Sequence, residues 1–218
     1  MLTIYGCYRS RASRNLWLAN ELGMEVRHVP VLQADRVKDK SAPDAPMHTH
    51  SEAFLKVNPN ARIPSMADGE LRLHESLAIN LYMAKKHGGP LAPKDLAEDA
   101  EMTMWSIWAM TEVEPHSIQI LYNTVGKPPE QRDAALLQRS IEALAGPFAV
   151  LDEALARTGF IVGGRFTVAD INLAEVVRYA MPAPQLFDAA PRVKAWLQAC
   201  HARQGFKDMV AARDKEPA

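Results

Sequence analysis

Asn58-Pro59-Asn60-Ala61-Arg62-Ile63-Pro64 runs without a break into Ser65-Met66-Ala67-Asp68-Gly69-Glu70-Leu71-Arg72-Leu73-His74-Glu75-Ser76. Ile63–Ala67 and Glu70–His74 read as two strands joined at Asp68-Gly69, because Asp-Gly supplies the left-handed backbone that a two-residue hairpin turn needs. Pro64 stands where the first of these strands begins. Proline cannot donate to a ladder, so there it belongs at an edge or in the cis form that turns the chain sharply. The Ser76–Lys86 segment then reads as a helix, with Glu75-Ser76 at its opening.

Toward the N-terminus, Leu2-Thr3-Ile4-Tyr5 is a short β-rich run closed by Gly6. Leu16, Leu18 and Leu22 follow at helix-compatible spacing and stop at Gly23, which gives strand, turn and helix. Val26–Leu32 is a second strand, parallel to the first, since a helical crossover is the ordinary link between parallel strands. Gln33–Thr49 carries Pro43 and Pro46 without periodicity and reads as a surface loop leading to a short helix near Ser51–Val57. The order β-α-β-α-β-β-α is an α/β unit, assigned to residues 1–86.

Toward the C-terminus, His87-Gly88-Gly89-Pro90-Leu91-Ala92-Pro93 is the densest Gly/Pro stretch and marks a domain boundary. Residues 94–218 read as all-α. Leu137, Ile141, Leu144, Phe148, Leu151 and Leu155 form one apolar seam. Its expected mate is a helix from about Leu96 to Tyr122, kinked at Pro115. Thr167-Val168-Ala169-Asp170 is a capping-box pattern opening a buried helix, Ile171–Met181, ended by Pro182. One final helix follows Pro191.

The whole chain has 218 residues, 48% of them apolar and 23% charged, with a net charge of −1. That balance excludes a disordered chain and the basic footprint of nucleic-acid binding. No 18-residue apolar run and no signal-peptide pattern are present, so neither membrane nor export is expected. Two cysteines, Cys7 and Cys200, are too few for a disulfide framework and fit a reducing, cytoplasmic setting. The histidines, His48, His50, His74, His87, His116 and His201 among them, lack ligand spacing, so no metal site is expected.

Three motifs in order carry a family resemblance. Asn58-Pro59 through Ile63-Pro64, then Glu75-Ser76, then Gly164-Arg165-Phe166-Thr167-Val168-Ala169-Asp170-Ile171 resemble the soluble glutathione S-transferases, in a serine-using, bacterial-like form. The resemblance spans Leu2 to about Phe206 and implies a thioredoxin-like N-terminal domain followed by a helical-bundle domain. It also implies a homodimer, glutathione as co-substrate with no other cofactor, and a hydrophobic electrophile as the second substrate. By the same resemblance Ile63 pairs through its backbone with the cysteinyl part of glutathione. Glu75 and Ser76 hold its γ-glutamyl group, with amides and hydroxyl facing outward at the helix start. The family places glycine where this chain has Ala61.

For the catalytic position two counts disagree. Five residues past Tyr5 is Ser10, whereas counting back from Arg14 on a Ser-x4-Arg pattern lands on Arg9; Ser10 is taken, with Arg9 and Arg11 as supporting cations. Lowering a thiol pKa from about 8.5 to about 6.5 requires roughly 2.7 kcal/mol of preferential thiolate stabilisation. A hydroxyl bond to a charged group supplies about 1.5–3 kcal/mol and a helix N-terminus roughly 0.3–1 kcal/mol. The plainer reading of Ser10 is a helix cap. Cys7, in Cys7-Tyr8-Arg9-Ser10, offers a thiol–disulfide alternative, and a non-catalytic binding module is a further one. His50 is a candidate for glutathione's glycyl carboxylate. Met102, Trp105 and Trp108 are assigned by helix position to the electrophile pocket, although helix-spaced aromatics more often pack in a core.

Overall fold

β1 (Thr3–Tyr5), α1 (Ser13–Leu22), β2 (Arg27–Val29), α2 (Glu52–Leu55), β3 (Ser65–Asp68), β4 (Leu71–His74) and α3 (Ser76–His87) follow in chain order. The structure is a computed structural model that describes residues 1–216. The strands form one sheet in the order β2-β1-β3-β4, with β1 parallel to β2 and antiparallel to β3, and β3 antiparallel to β4. Ile4 pairs with Met66, and both are fully buried. Side chains on paired residues share a sheet face, so this pair defines the core side. α1 ends at Gly23, whose φ of 58° is the left-handed cap that glycine adopts at low cost. α1 and α3 pack on each other. The long loop is closed at its base by Leu32 and His48, which form a bridge, and by the Thr49 hydroxyl accepting from the Ala34 N–H at 3.1 Å.

Residues 88–203 form a second unit, all helical in its regular structure: α4 (Leu96–Trp108), α5 (Glu114–Leu121), α6 (Ala134–Leu155), α7 (Val168–Val177), α8 (Pro184–Ala189) and α9 (Pro191–His201). The expected helix from Leu96 to Tyr122 is two helices joined by a π-helical turn, Ala109–Val113. Pro115 sits in the first turn of α5, and the wider turn before it accommodates the missing N–H and the bulk of the ring. α6 packs on α5, α8 and α9, and of the expected seam Leu144, Phe148, Leu151 and Leu155 are buried, Phe148 edge to face with Phe187 of α8, while Leu137 and Ile141 stay partly exposed. α7 is buried along its entire length.

The single final helix expected after Pro191 is also two. α9 buries Val193, Trp196, Leu197 and Cys200 in the second unit, whereas α10 (Gln204–Lys215) packs on α1 of the first unit. There the Trp17 and Phe206 rings meet edge to face at 5.1 Å, and Asn20 Nδ2 donates to the Gly205 carbonyl at 3.1 Å. The first unit is therefore Met1–His87 plus the chain from Gln204 onward, unlike the division at 94–218 read from the sequence. Apolar spacing signals that a helix buries one face; it does not say against what.

Candidate functional site

Strand register assembles the site. Tyr5, the last residue of β1, pairs with Ser65, the first of β3, and Ser65 pairs with His74, the last of β4. The turn after Tyr5, the Ile63–Pro64 step and Glu75-Ser76 thus leave the sheet at the same edge. The Ile63–Pro64 peptide is cis, one of the two arrangements its position left open, and Ile63 lies just before the first rung of the ladder. Gly6 lets these segments close up. A Cβ there would sit 2.7 Å from that of Ala12 and 3.6 Å from that of Ile63, and its φ of 152° suits glycine.

Ser10 is half-buried in the turn before α1. Its hydroxyl donates to the Cys7 carbonyl at 2.7 Å and accepts from the Ala12 N–H at 3.1 Å. It is not the cap of α1, because Ala12 occupies that position without a side-chain bond. The same turn presents the Tyr8 and Arg9 N–H groups, which donate to the two carboxylate oxygens of Glu216 at 2.9 Å each. Cys7 is fully buried, with its thiol 3.6 Å from Gln33 Oε1. Burial first, and the Glu216 charge second, push its pKa up, against the Ser10 bond and the Arg36 charge. A thiol held protonated is the reverse of what a nucleophilic cysteine requires.

The opening of α3 differs from its expected form. Ser76 is buried, and its hydroxyl accepts from Nη1 of Arg14 at 3.0 Å rather than facing outward. Its carbonyl accepts from Asn15 Nδ2 at 2.8 Å, and Asn15 also donates to Asn80 at 2.7 Å. Arg14, Asn15 and Asn80, all fully buried, bind the start of α1 to the start of α3. An arginine and an asparagine inside an apolar helical stretch are the signal in the sequence for this contact, since buried polar groups need partners. Glu75, just before, has a φ of 71°, an exposed side chain and no side-chain hydrogen bond among the described residues. A non-glycine in the left-handed region costs about 1–2 kcal/mol, and such strain concentrates at functional positions. Ala61, where the resembling family has glycine, is likewise left-handed, with a φ of 53°.

Arg11 lies half-buried between Ser10 and Ala12, and Arg9 is exposed. His50 is exposed in the loop just before α2; its N–H donates to Nδ1 of His48 at 3.2 Å. In the second unit the Trp105 and Trp108 rings meet edge to face at 5.1 Å, both half-buried. Trp108 lines an open recess along α4 with Leu96, Met104, Ile107 and Thr111, and Trp105 is not part of its lining. Met102, expected beside them, is fully buried in the core.

The third motif builds structure. The Asp170 carboxylate accepts the Thr167 N–H at 2.8 Å, the Ile161 N–H at 3.2 Å and the Trp196 indole N–H at 2.9 Å. Burial raises its pKa, while these donors act in the opposite direction. Arg165 binds both carboxylate oxygens of Glu98, at 2.9 and 2.8 Å, and also reaches the Pro90 and Ala92 carbonyls at 3.0 and 2.9 Å. The guanidinium and the Glu98 carboxylate crowd the space beside Gly163, whose φ of 69° itself favours glycine.

No group of three or more His, Cys, Asp or Glu side chains able to hold a metal occurs among the described residues, and no described helix is long and apolar enough to cross a membrane. Comparison with known proteins places this geometry. The glutathione S-transferase N-terminal domain matches residues 4–91, and the glutathione S-transferase C-terminal domain matches residues 113–204. Glutathione S-transferase 3 of Zea mays is 32% identical over 221 residues, covering 97% of this chain and 94% of that one. The solved structure of glutathione S-transferase III in apo form is 32% identical with a TM-score of 0.80, covering 100% of this chain and 99% of its own. The theta class enzyme of the citrus canker pathogen Xanthomonas axonopodis pv. citri, solved with glutathione bound, is 26% identical with a TM-score of 0.80 over 96% of each chain. With a mixed four-stranded sheet, a cis-proline at the edge of the site and helices after it, the chain belongs to the glutathione S-transferase family.

Proposed function

We propose that this transferase activates the thiol of glutathione at the turn before α1, with Ser10 as the group that stabilises the thiolate. The supporting observation is the register that carries the Ser10 turn, the Ile63–Pro64 step and Glu75 off one sheet edge. Glutathione has parts to match: the Ile63 backbone for its cysteinyl peptide, and the left-handed Glu75 with the α3 N-terminus for its γ-glutamyl group. Ser76 acts there through its position in the first turn of α3, its hydroxyl being occupied with Arg14. Arg11 and His50 supply positive or hydrogen-bonding groups toward the carboxylates of the tripeptide. Once the sulfur arrives, the Ser10 hydroxyl turns from the Cys7 carbonyl to the thiolate, exchanging a neutral bond for a charge-assisted one. The thiol proton passes to water. The sulfur lone pair forms the new C–S bond while the electrophile's leaving group departs with its electron pair, or its double bond takes up the electrons.

The fully buried Cys7, with its raised pKa, favours this reading over thiol–disulfide exchange. For the electrophile we propose the apolar recess on α4, with Trp108 as its aromatic wall and Trp105 bracing that ring edge-on. Family membership supports a homodimer, which light scattering would read as twice the chain mass.

The test is Ser10→Ala assayed with an aryl halide electrophile. The expected result is a fall of about a hundredfold in kcat/KM with a melting temperature lowered by only about 2–4 °C for the lost hydroxyl bonds, together with loss of thiolate absorbance from bound glutathione near neutral pH. Full activity in Ser10→Ala overturns the assignment.

A further inference from the structure

The turn from Gly6 to Ala12 lies after β1 and before α1, so neither a strand ladder nor a helix offers partners for the N–H groups of Tyr8 and Arg9. Both are taken, one oxygen each, by the Glu216 carboxylate at 2.9 Å, across 208 and 207 residues of chain. Nη2 of Arg9 returns a bond to the Glu216 carbonyl at 3.4 Å. Glu216 is not a loose end, because it directly follows α10, which is anchored on α1 through Phe206, Gly205 and Asn20. The clamp closes one residue before Ser10, whose own N–H is turned back to the Cys7 carbonyl at 3.1 Å.

We infer that Glu216 is a positioning residue for the transfer reaction: its carboxylate clamps the Tyr8–Arg9 peptide and thereby fixes where the Ser10 hydroxyl sits. The inference rests on the reading of Ser10 given above. Two charge-assisted bonds to main-chain donors are strong and directional, and an unclamped turn would exchange them for water and gain freedom at Ser10. The clamp has an electrostatic side as well. The groups that face the Cys7 thiol are Glu216, Arg36, the Ser10 hydroxyl, Gln33 and the Arg9 N–H. Glu216 is the one negative charge among them and helps keep that sulfur protonated, leaving the reaction to glutathione's own thiol.

The experiment is a double-mutant cycle on the full chain with Glu216→Ala, Ser10→Ala and the pair, alongside Glu216→Asp and hydrogen exchange of the 6–12 segment. Glu216→Ala is expected to lower kcat/KM about tenfold and to speed exchange at Tyr8 and Arg9, whereas Glu216→Asp, which keeps the charge, retains most of both. In the Ser10→Ala background the same change should add less than about a further twofold loss, because a residue acting through Ser10 has nothing left to position. A Glu216→Ala enzyme within about twofold of the parent overturns the clamp, and so do losses that multiply in the double variant. If Ser10→Ala alone is fully active, the reading of Ser10 falls and takes the inference with it. A loss in Ser10→Ala with independent losses from Glu216→Ala removes the clamp alone.

Discussion

The turn into α7 and the strand-end edge that holds Ser10, Ala61 and Glu75 are both dense in polar groups, yet one is closed and the other open. At α7 the donors converge on the buried Asp170 carboxylate, and Arg165 has both oxygens of Glu98 and two carbonyls. At the site edge Ser10 is half-exposed, Glu75 points a carboxylate into solvent, and two non-glycine residues stand in the left-handed region. Complete satisfaction of polar groups builds stability; residual polarity and strain, retained at one sheet edge, are what a substrate can use.

The comparison breaks most visibly at Asp170. Asp170→Ala strands the Thr167, Ile161 and Trp196 donors in a buried setting and should cost about 3–5 kcal/mol in urea unfolding, with the glutathione KM of the folded fraction unchanged. A loss under about 1 kcal/mol would mean that the α7 turn is not the closed structure described.

Acid titration probes the same unit. Burial lowers the pKa of His201 from 6.5 to about 4, so the unfolded chain binds a proton that the folded one refuses. Stability should fall as the pH drops through that window. The Arg165 guanidinium, against the effect of burial, holds Glu98 down at about 2 from 4.5, so its contribution is present above pH 4.5 and is lost between there and about 2. Glu98→Gln should flatten the lower window and leave the upper one, which pH-dependent denaturation curves would read. An unchanged lower window would remove Glu98 as a contributor.

The smallest effect sharpens the comparison at the open edge. Ala61→Gly and Glu75→Gly each relieve a left-handed residue, offset in part by the entropy that glycine adds to the unfolded chain, for a net gain of about 0.5–1 kcal/mol. Ala61→Gly should leave the glutathione KM unchanged, whereas Glu75→Gly should raise it about tenfold. Equal KM values in the two variants would show that strain at Glu75 has no bearing on substrate.

Much of the fold was legible because its signals are local. The Asp68-Gly69 hairpin, the glycine stop at Gly23, the cis-proline and the Thr167–Asp170 box all appear within a residue or two of their expected places. The places of Ser10, Ile63 and Glu75 beside strand ends were legible from the strand boundaries, whereas the roles expected of them came from the family resemblance. The inward turn of the Ser76 hydroxyl was not legible, since it depends on Arg14, 62 residues earlier. At Pro115 an irregularity was legible as a kink, but not its form, a π turn that divides one expected helix into two.

Periodicity, turn chemistry and caps act over a few residues, so the chain by itself determined the strand-helix order of its first part, the helical character of its second and the caps at Gly23 and Thr167. Which distant groups meet depends on packing. Tertiary structure alone decided that α10 lies on α1, that Arg14 takes up Ser76, and that Glu216 closes on the turn beside Ser10. Each of those contacts joins residues far apart in sequence, where no local pattern can record the partner.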